Sequence, residues 1–246
     1  EDISAAYQNE NYSMNFSKFL LLNIPEQVLD SGGTANNPLA MDFEGAFEDY
    51  SKAIALKPEL NSVLYAYMNR GRLNRDHFKN LEASLNDFEA MIALDQNKPE
   101  GYYYSGLAKY HLEDYDSAIE YFDKAISLTT DNSHIYNDRG LAHEDLKKHQ
   151  EAINDYSKAI EINAQYATAY NNRAVTYINM KEYQKAISDC DKAIQLKQGA
   201  FAYNNRGFSK YHLGRYKDAL KDCTKSIQLN AKNSWAYYYR GLIYNK

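Results

Sequence analysis

Two cysteines, four prolines and a single tryptophan among 246 residues leave several protein classes without material. Two thiols cannot build a disulfide scaffold. No apolar run, Phe19 to Leu22 included, is long enough to span a bilayer, so no direct transmembrane segment is expected. No signal peptide is visible either. Positive charge is in deficit: 28 Lys and Arg against 33 Asp and Glu give a net charge of −5, which removes the electrostatic case for nucleic acid. The acid is concentrated early, with ten Asp or Glu and three Lys in residues 1–60, so the remainder is near neutral. A phosphate-binding loop, a nucleophile elbow and a paired-carboxylate context are also missing, and neither catalysis nor a cofactor is expected. The chain opens on Glu rather than Met, so an upstream segment is expected, and the compartment is not fixed by the sequence.

What the chain has in quantity is repetition. Tyr203 to Leu229 reads YNNRGFSKYHLGRYKDALKDCTKSIQL; Tyr170 to Leu196, Tyr136 to Ile162 and Tyr102 to Leu128 say nearly the same. The small residue that opens each unit falls at Gly106, Gly140, Ala174, Gly207 and Gly241, in steps of 34, 34, 33 and 34 residues. A fixed period in this range marks a helical solenoid. With Gly207 as position 8, Tyr203 is position 4, Tyr216 is 17, Ala219 is 20, Cys223 is 24 and Ser226 is 27. Two antiparallel helices about a turn near position 15 bring positions summing to about 30 alongside each other. Small residues at 8 and 20 then let the backbones approach. An apolar stripe such as Ala118, Phe122, Ala125 and Ile126 fills the seam. Cys190 and Cys223 share position 24 and read as small apolar core residues rather than as a metal or disulfide pair.

This order resembles the tetratricopeptide repeat (TPR), from roughly Asp42 to the C-terminus. It departs at position 32, which is Pro only at Pro58, and at position 11, which is Lys109, His143 or Lys210 in some repeats. The resemblance implies an all-α, right-handed α–α superhelix of about six helical hairpins plus one unpaired final helix. Residues 1–60 read as an irregular N-terminal helical unit or cap, with a long loop at 25–41. Tyr12, Phe16, Phe19, Leu20 and Ile24 mark its first helix, and Phe43, Ala46, Tyr50, Ala53 and Ile54 its second. The array occupies 61–232 as five repeats (about 61–96, 99–130, 133–164, 167–198 and 200–231), and 233–246 is the first helix of an incomplete seventh. Its missing second helix leaves an apolar flank, and self-association through that end is one reading.

An internal covariation predicts a contact. Position 7 is Arg70, Arg139, Arg173 and Arg206, and position 23 of the same repeats is Asp87, Asp155, Asp189 and Asp222. In the third repeat both change, to Ser105 and Tyr121. An Arg–Asp pair is expected across each hairpin, bidentate where buried. Arg240 has no in-chain counterpart.

In the TPR family, positions 2, 5, 6, 9, 12 and 13 of the first helices face a concave surface. Carried over, 5 and 6 are Met68-Asn69, Tyr103-Tyr104, Asn137-Asp138, Asn171-Asn172, Asn204-Asn205 and Tyr238-Tyr239. A side-chain amide carries both donor and acceptor. The resemblance thus implies an asparagine ladder of Asn69, Asn172 and Asn205, with Asp138 in register, for a partner's backbone. Tyr103, Tyr104, Tyr110, Tyr211, Phe201, Trp235 and Tyr239 would add aromatic walls. A clamp for acidic C-termini is excluded, since position 2 (Tyr65, Glu100, His134, Thr168, Phe201, Trp235) holds no Lys. His134, His143 and His149 share a repeat but not a face at metal-ligand spacing. The leading reading is a scaffold that binds a protein or peptide segment in the groove. A second is the non-catalytic portion of a larger enzyme or membrane-attached assembly.

Overall fold

A computed structural model describes residues 42–56, 59–196 and 199–246. The first helix expected over residues 12–24 and the loop at 25–41 lie outside the described residues. Among those described, twelve α-helices follow one another: α1 Phe43–Leu56, α2 Leu60–Asp76, α3 Leu81–Leu94, α4 Pro99–His111, α5 Tyr115–Leu128, α6 Ser133–Asp145, α7 His149–Ile162, α8 Ala167–Asn179, α9 Tyr183–Gln195, α10 Ala200–His212, α11 Tyr216–Leu229 and α12 Ser234–Tyr244. The chain divides into two compact units, the boundary falling between Leu128 and Thr129.

Within each unit, helices pack in sequence order. In the first, α2 pairs with α3 and α4 with α5, while α1 lies against α2. In the second, the pairs are α6–α7, α8–α9 and α10–α11, with α12 against α11. The first helices also touch one another there, α6 with α8, α8 with α10 and α10 with α12. The fold is all-α, with helices paired in a TPR-like solenoid arrangement.

The helix limits follow from the residues. Pro99 sits in the first turn of α4, where its missing N–H costs nothing. Asn80, Asn132 and Asn233 cap α3, α6 and α12 by accepting from the backbone N–H of Ala83, His134 and Ala236. Each first helix that has a paired second helix is followed by a residue with positive φ: Lys79, Glu113, Lys147 and Lys181 at 57–61°, and Gly214 at 73°. At Lys147 the next N–H, of Lys148, reaches back to the His143 carbonyl while the Lys147 N–H bonds that of Glu144, the pattern that closes a helix end.

Close approach explains the small residue at position 8. A Cβ added to Gly71, Gly106 or Gly140 would stand 2.6, 2.6 or 2.7 Å from the ring of Phe88, Phe122 or Tyr156. Those rings, at position 24 of the paired helix, are fully buried or nearly so. In the sixth repeat the ring is replaced by Cys223, whose Sγ would be 3.1 Å from a Cβ on Gly207. Both cysteines are free and buried, and burial pushes the Cys223 thiol up to about 11.

The Arg–Asp pairs form in all four repeats that carry them. Arg70, Arg139, Arg173 and Arg206 each present Nε and Nη2 to the two carboxylate oxygens of Asp87, Asp155, Asp189 and Asp222, at 2.5–3.1 Å. The third nitrogen ties three of them to the preceding helix: Arg70 Nη1 donates to Ser51 Oγ at 3.0 Å, Arg173 to Ser157 Oγ at 2.8 Å and Arg206 to Asp191 Oδ1 at 2.6 Å. In three of the clamp-bearing repeats the residue at position 11 is not Tyr and turns toward the same carboxylate, whereas Lys109 of the third repeat pairs with Asp114. Asn74 Nδ2 and Lys210 Nζ donate to Asp87 and Asp222, and His143 Nε2 lies 3.6 Å from Asp155. In the third repeat the clamp is absent: Ser105 is buried, and the Tyr121 hydroxyl donates to Glu89 at 2.8 Å.

Candidate functional site

The expected groove residues fall in both compact units. In the first, Asn69 is half-buried. Tyr104 stacks on Phe88 with ring centroids 5.2 Å apart, Tyr103 tilts against it at 5.2 Å, and Arg72 and Arg75 stand over the Tyr104 ring. Tyr104 of α4 therefore packs on the preceding hairpin, α2–α3, and both tyrosines are half-exposed.

In the second unit the amides bond chiefly to one another. Asn172 Nδ2 donates to Asn137 Oδ1 at 3.0 Å, and Asn205 Nδ2 to Asn171 Oδ1 at 3.2 Å. Position 6 of one repeat thus feeds position 5 of the repeat before it, tying α8 to α6 and α10 to α8. Asn137 Nδ2 in turn donates to Asp138 Oδ1 at 3.0 Å. The ladder leaves loose ends, and the residues around it show why. In the fifth repeat Asn172 replaces the carboxylate, and buried Asn171 Nδ2 lacks a protein partner. At the sixth, the next residue at position 6 is Tyr239, packed edge-on to Phe208 and stacked on Trp235, and buried Asn204 Oδ1 is left without a donor. Such atoms cost about 1–3 kcal/mol each.

This corrects the surface read from the sequence. Six of the eleven expected contact residues (Asn137, Asp138, Asn171, Asn204, Asn205 and Tyr239) are buried within the chain. Asn171, with no exposed surface, is a rung of the ladder and not a point of contact. The reason is the pitch of the hairpins, which brings positions 5 and 6 of neighbouring first helices to hydrogen-bonding distance. Besides Asn69, Tyr103 and Tyr104 in the first unit, the accessible members are Asn172, half-buried, and Tyr238, 56% exposed, with Phe201 and Trp235 half-buried and His134 exposed at position 2. Burial raises the Tyr239 hydroxyl to about 12, with Tyr238 adding to the effect, so this phenol stays a neutral donor in ordinary buffers.

Models of the tetratricopeptide repeat match residues 167–199 and 200–233, and further TPR models match 145–181 and 99–132, together half of the chain. The chain is a tetratricopeptide repeat protein. TPR domains generally mediate protein–protein interactions and are typically non-catalytic. Among solved structures, a MamA protein is 26% identical with a TM-score of 0.61, over 71% of this chain and 95% of that one. YrrB, described as a TPR protein with an unusual peptide-binding site, is 21% identical with a TM-score of 0.59, over 82% and 98%. TTC0263, a thermophilic TPR protein of Thermus thermophilus, is 17% identical with a TM-score of 0.59, over 74% and 100%. No curated protein matches the sequence.

One polar centre of this TPR array was not anticipated. Glu144, at position 12, is buried and gathers three partners: Thr176 Oγ1 donates to Oε2 at 2.8 Å, Asn179 Nδ2 to Oε1 at 2.6 Å, and His149 Nδ1 lies 3.0 Å from Oε2. It ties α6 to α7 and α8 at once. The signal available in sequence was an acid at 12 followed by hydroxyl and amide residues at 10 and 13 of the next repeat. His134 is engaged elsewhere, its Nδ1 3.0 Å from the Tyr166 hydroxyl. Among the described residues no group of three or more His, Cys, Asp or Glu is placed to hold a metal ion, and no helix is long and apolar enough to cross a membrane.

Proposed function

We propose that this TPR chain is an interaction scaffold that takes an extended peptide segment or a helix of a partner protein along the first-helix face of its second compact unit. The observation that carries the reading is the polar stripe at positions 5 and 6 of adjacent helices. The cross-helix amide ladder holds the first helices in register, and a backbone-reading surface needs donors and acceptors presented at such a fixed repeat. Asn172 and Tyr238 are the members a partner reaches. Buried Asn137, Asn171 and Asn205 hold the helices in register beneath that role.

The test is to select peptides from a display library against the whole chain and titrate the best of them. Asn172→Ala and Tyr238→Ala should each weaken that peptide by about tenfold; Tyr238→Ala should leave the melting temperature nearly unchanged, whereas Asn172→Ala also strands buried Asn137 Oδ1 and should lower it. If no peptide is selected, or if both variants bind it like the parent, the groove reading fails.

A further inference from the structure

The hairpin turns of the second compact unit form one edge. Asn179, at the end of α8, donates to Glu144 of α6 at 2.6 Å, and Glu144 also holds His149 at the start of α7. One repeat on, the Tyr183 ring stacks on that of His212 with centroids 4.8 Å apart, and Arg215 Nη2 donates to Gln184 Oε1 at 3.3 Å. The turns at 146–148, 180–182 and 213–215 therefore lie side by side. Each offers the same two features: an apolar residue at position 14 (Leu146, Met180, Leu213) and a cation at 15 or 16 (Lys147 and Lys148, Lys181, Arg215). Met180 and Leu213 are 37% and 41% exposed, and Lys181, Arg215 and Lys217 are exposed. Met180 and Lys181 sit in the middle hairpin, with a helix pair on either side, so their exposure belongs to the turn itself.

Backbone and charge both set this edge apart. Position 15 is left-handed, a conformation that glycine adopts freely and that disfavours any side chain; Gly214 takes it with φ of 73°, yet Lys147 and Lys181 hold φ of 60°. A lysine kept against the local preference points to a side chain in use. Residues 129–246 carry 18 Lys and Arg against 12 Asp and Glu, while residues 1–128 carry 10 against 21. Five of those twelve acids (Asp138, Glu144, Asp155, Asp189 and Asp222) are buried, which leaves the surface of the second unit basic. The turn of the third repeat has the same left-handed backbone but reads Leu112-Glu113-Asp114.

The acids of the edge decide the kind of partner. Glu182 pairs with Lys185 and Asp218 with Lys221, and Asp145 and Glu151 flank the fourth turn in sequence. An anionic lipid surface responds to the summed field, which these acids largely cancel. A protein segment pairs side chain with side chain, and needs single cations at fixed spacing beside an apolar foothold.

We infer that this edge docks an acidic, amphipathic segment of a partner protein. Its apolar side chains seat on Met180 and Leu213, and its carboxylates meet Lys181, Arg215 and Lys217. Packed helices lie about 8–10 Å apart, so those apolar residues recur about every three positions in an extended segment or about every seven in a helix. The edge is separate from the asparagine stripe, and neither surface depends on the other.

The test selects peptides from a display library on the whole chain and titrates the acidic binders at low and high salt. They should carry Asp or Glu on both sides of an apolar residue and bind more weakly in high salt. Lys181→Gly, Arg215→Gln and Lys217→Gln should each weaken them by about three- to fivefold, and the triple variant by about tenfold or more. Lys181→Gly keeps the left-handed turn, so its loss of binding reads the side chain alone. Tyr238→Ala should leave these peptides unaffected, and vesicles of phosphatidylserine and phosphatidylcholine should not displace them. A selection without acidic peptides, acidic peptides indifferent to the triple variant or lost with Tyr238→Ala, or displacement by the vesicles would each overturn the inference. Groove peptides that survive the triple variant leave the asparagine stripe's role standing in any of those cases.

Discussion

Arg173 and Asp189 show how much one pair decides. The Asp189 side chain is 9% exposed and that of Arg173 18%, so neither charge is left to water. Both carboxylate oxygens and all three guanidinium nitrogens are used. Burial alone would pull the arginine down, and the hydrogen bonds and charge of Asp189 more than reverse that. Removing one partner strands the other: Arg173→Ala should cost about 3 kcal/mol. Arg206→Ala should cost less, because Lys210 Nζ remains 2.7 Å from Asp222. Urea unfolding of the two variants compares them directly, and an Arg206→Ala cost equal to or above that of Arg173→Ala would show that the neighbouring lysine carries no compensation. The pairing was legible from sequence because two positions changed together in one repeat, to Ser105 and Tyr121. The asparagine ladder was legible only by half. That amides recur at 5 and 6 is visible in the letters. That they bond to each other depends on the offset between neighbouring helices, which no single repeat encodes.

At the scale of the element, the hairpin turn is the point where local preference and fold disagree. Five first helices end in left-handed backbone, and only one of those residues is glycine. Lys147 and Lys181 adopt φ of 60°, at a steric cost that Gly214 avoids in the sixth repeat. Lys147→Gly and Lys181→Gly should therefore each raise stability by about 0.5–1 kcal/mol, and Gly214→Ala should lower it by about 1 kcal/mol. Thermal melts followed by circular dichroism read the sign, and destabilisation by both glycines would mean that unfolded-chain entropy outweighs the strain. The turns also mark what the period could place. The 34-residue step located every helix pair from α4 onward. The second repeat carries one extra residue between Gly71 and Leu81, and the structure holds it in the turn: α2 ends at Asp76, five residues past Gly71 as α4 ends five past Gly106, and α3 then starts one residue later than its counterparts.

At the scale of the molecule, helices bury their apolar faces against sequence neighbours, so stability should be a sum of local terms and not a single cooperative total. Glu144 and the amide ladder reinforce this by linking α6 to α8 and α8 to α10. A lesion in one repeat should then open that repeat and its neighbours first. Gly140→Ala supplies the lesion: its Cβ would be driven against the Tyr156 ring, itself 1% exposed and unable to retreat, at a cost of about 2 kcal/mol. Gly241→Ala is the matched control, since its added methyl meets nothing within 4 Å and alanine favours the helix. Hydrogen exchange across the second compact unit should show protection lost most in α6, α7 and α8 for Gly140→Ala, less in α9 and α10, and least in α11 and α12. The Gly241→Ala chain should exchange like the parent or more slowly. A uniform loss from α6 to α12 would mean that the unit unfolds as one body, and the nearest-neighbour account of its stability would have to be given up.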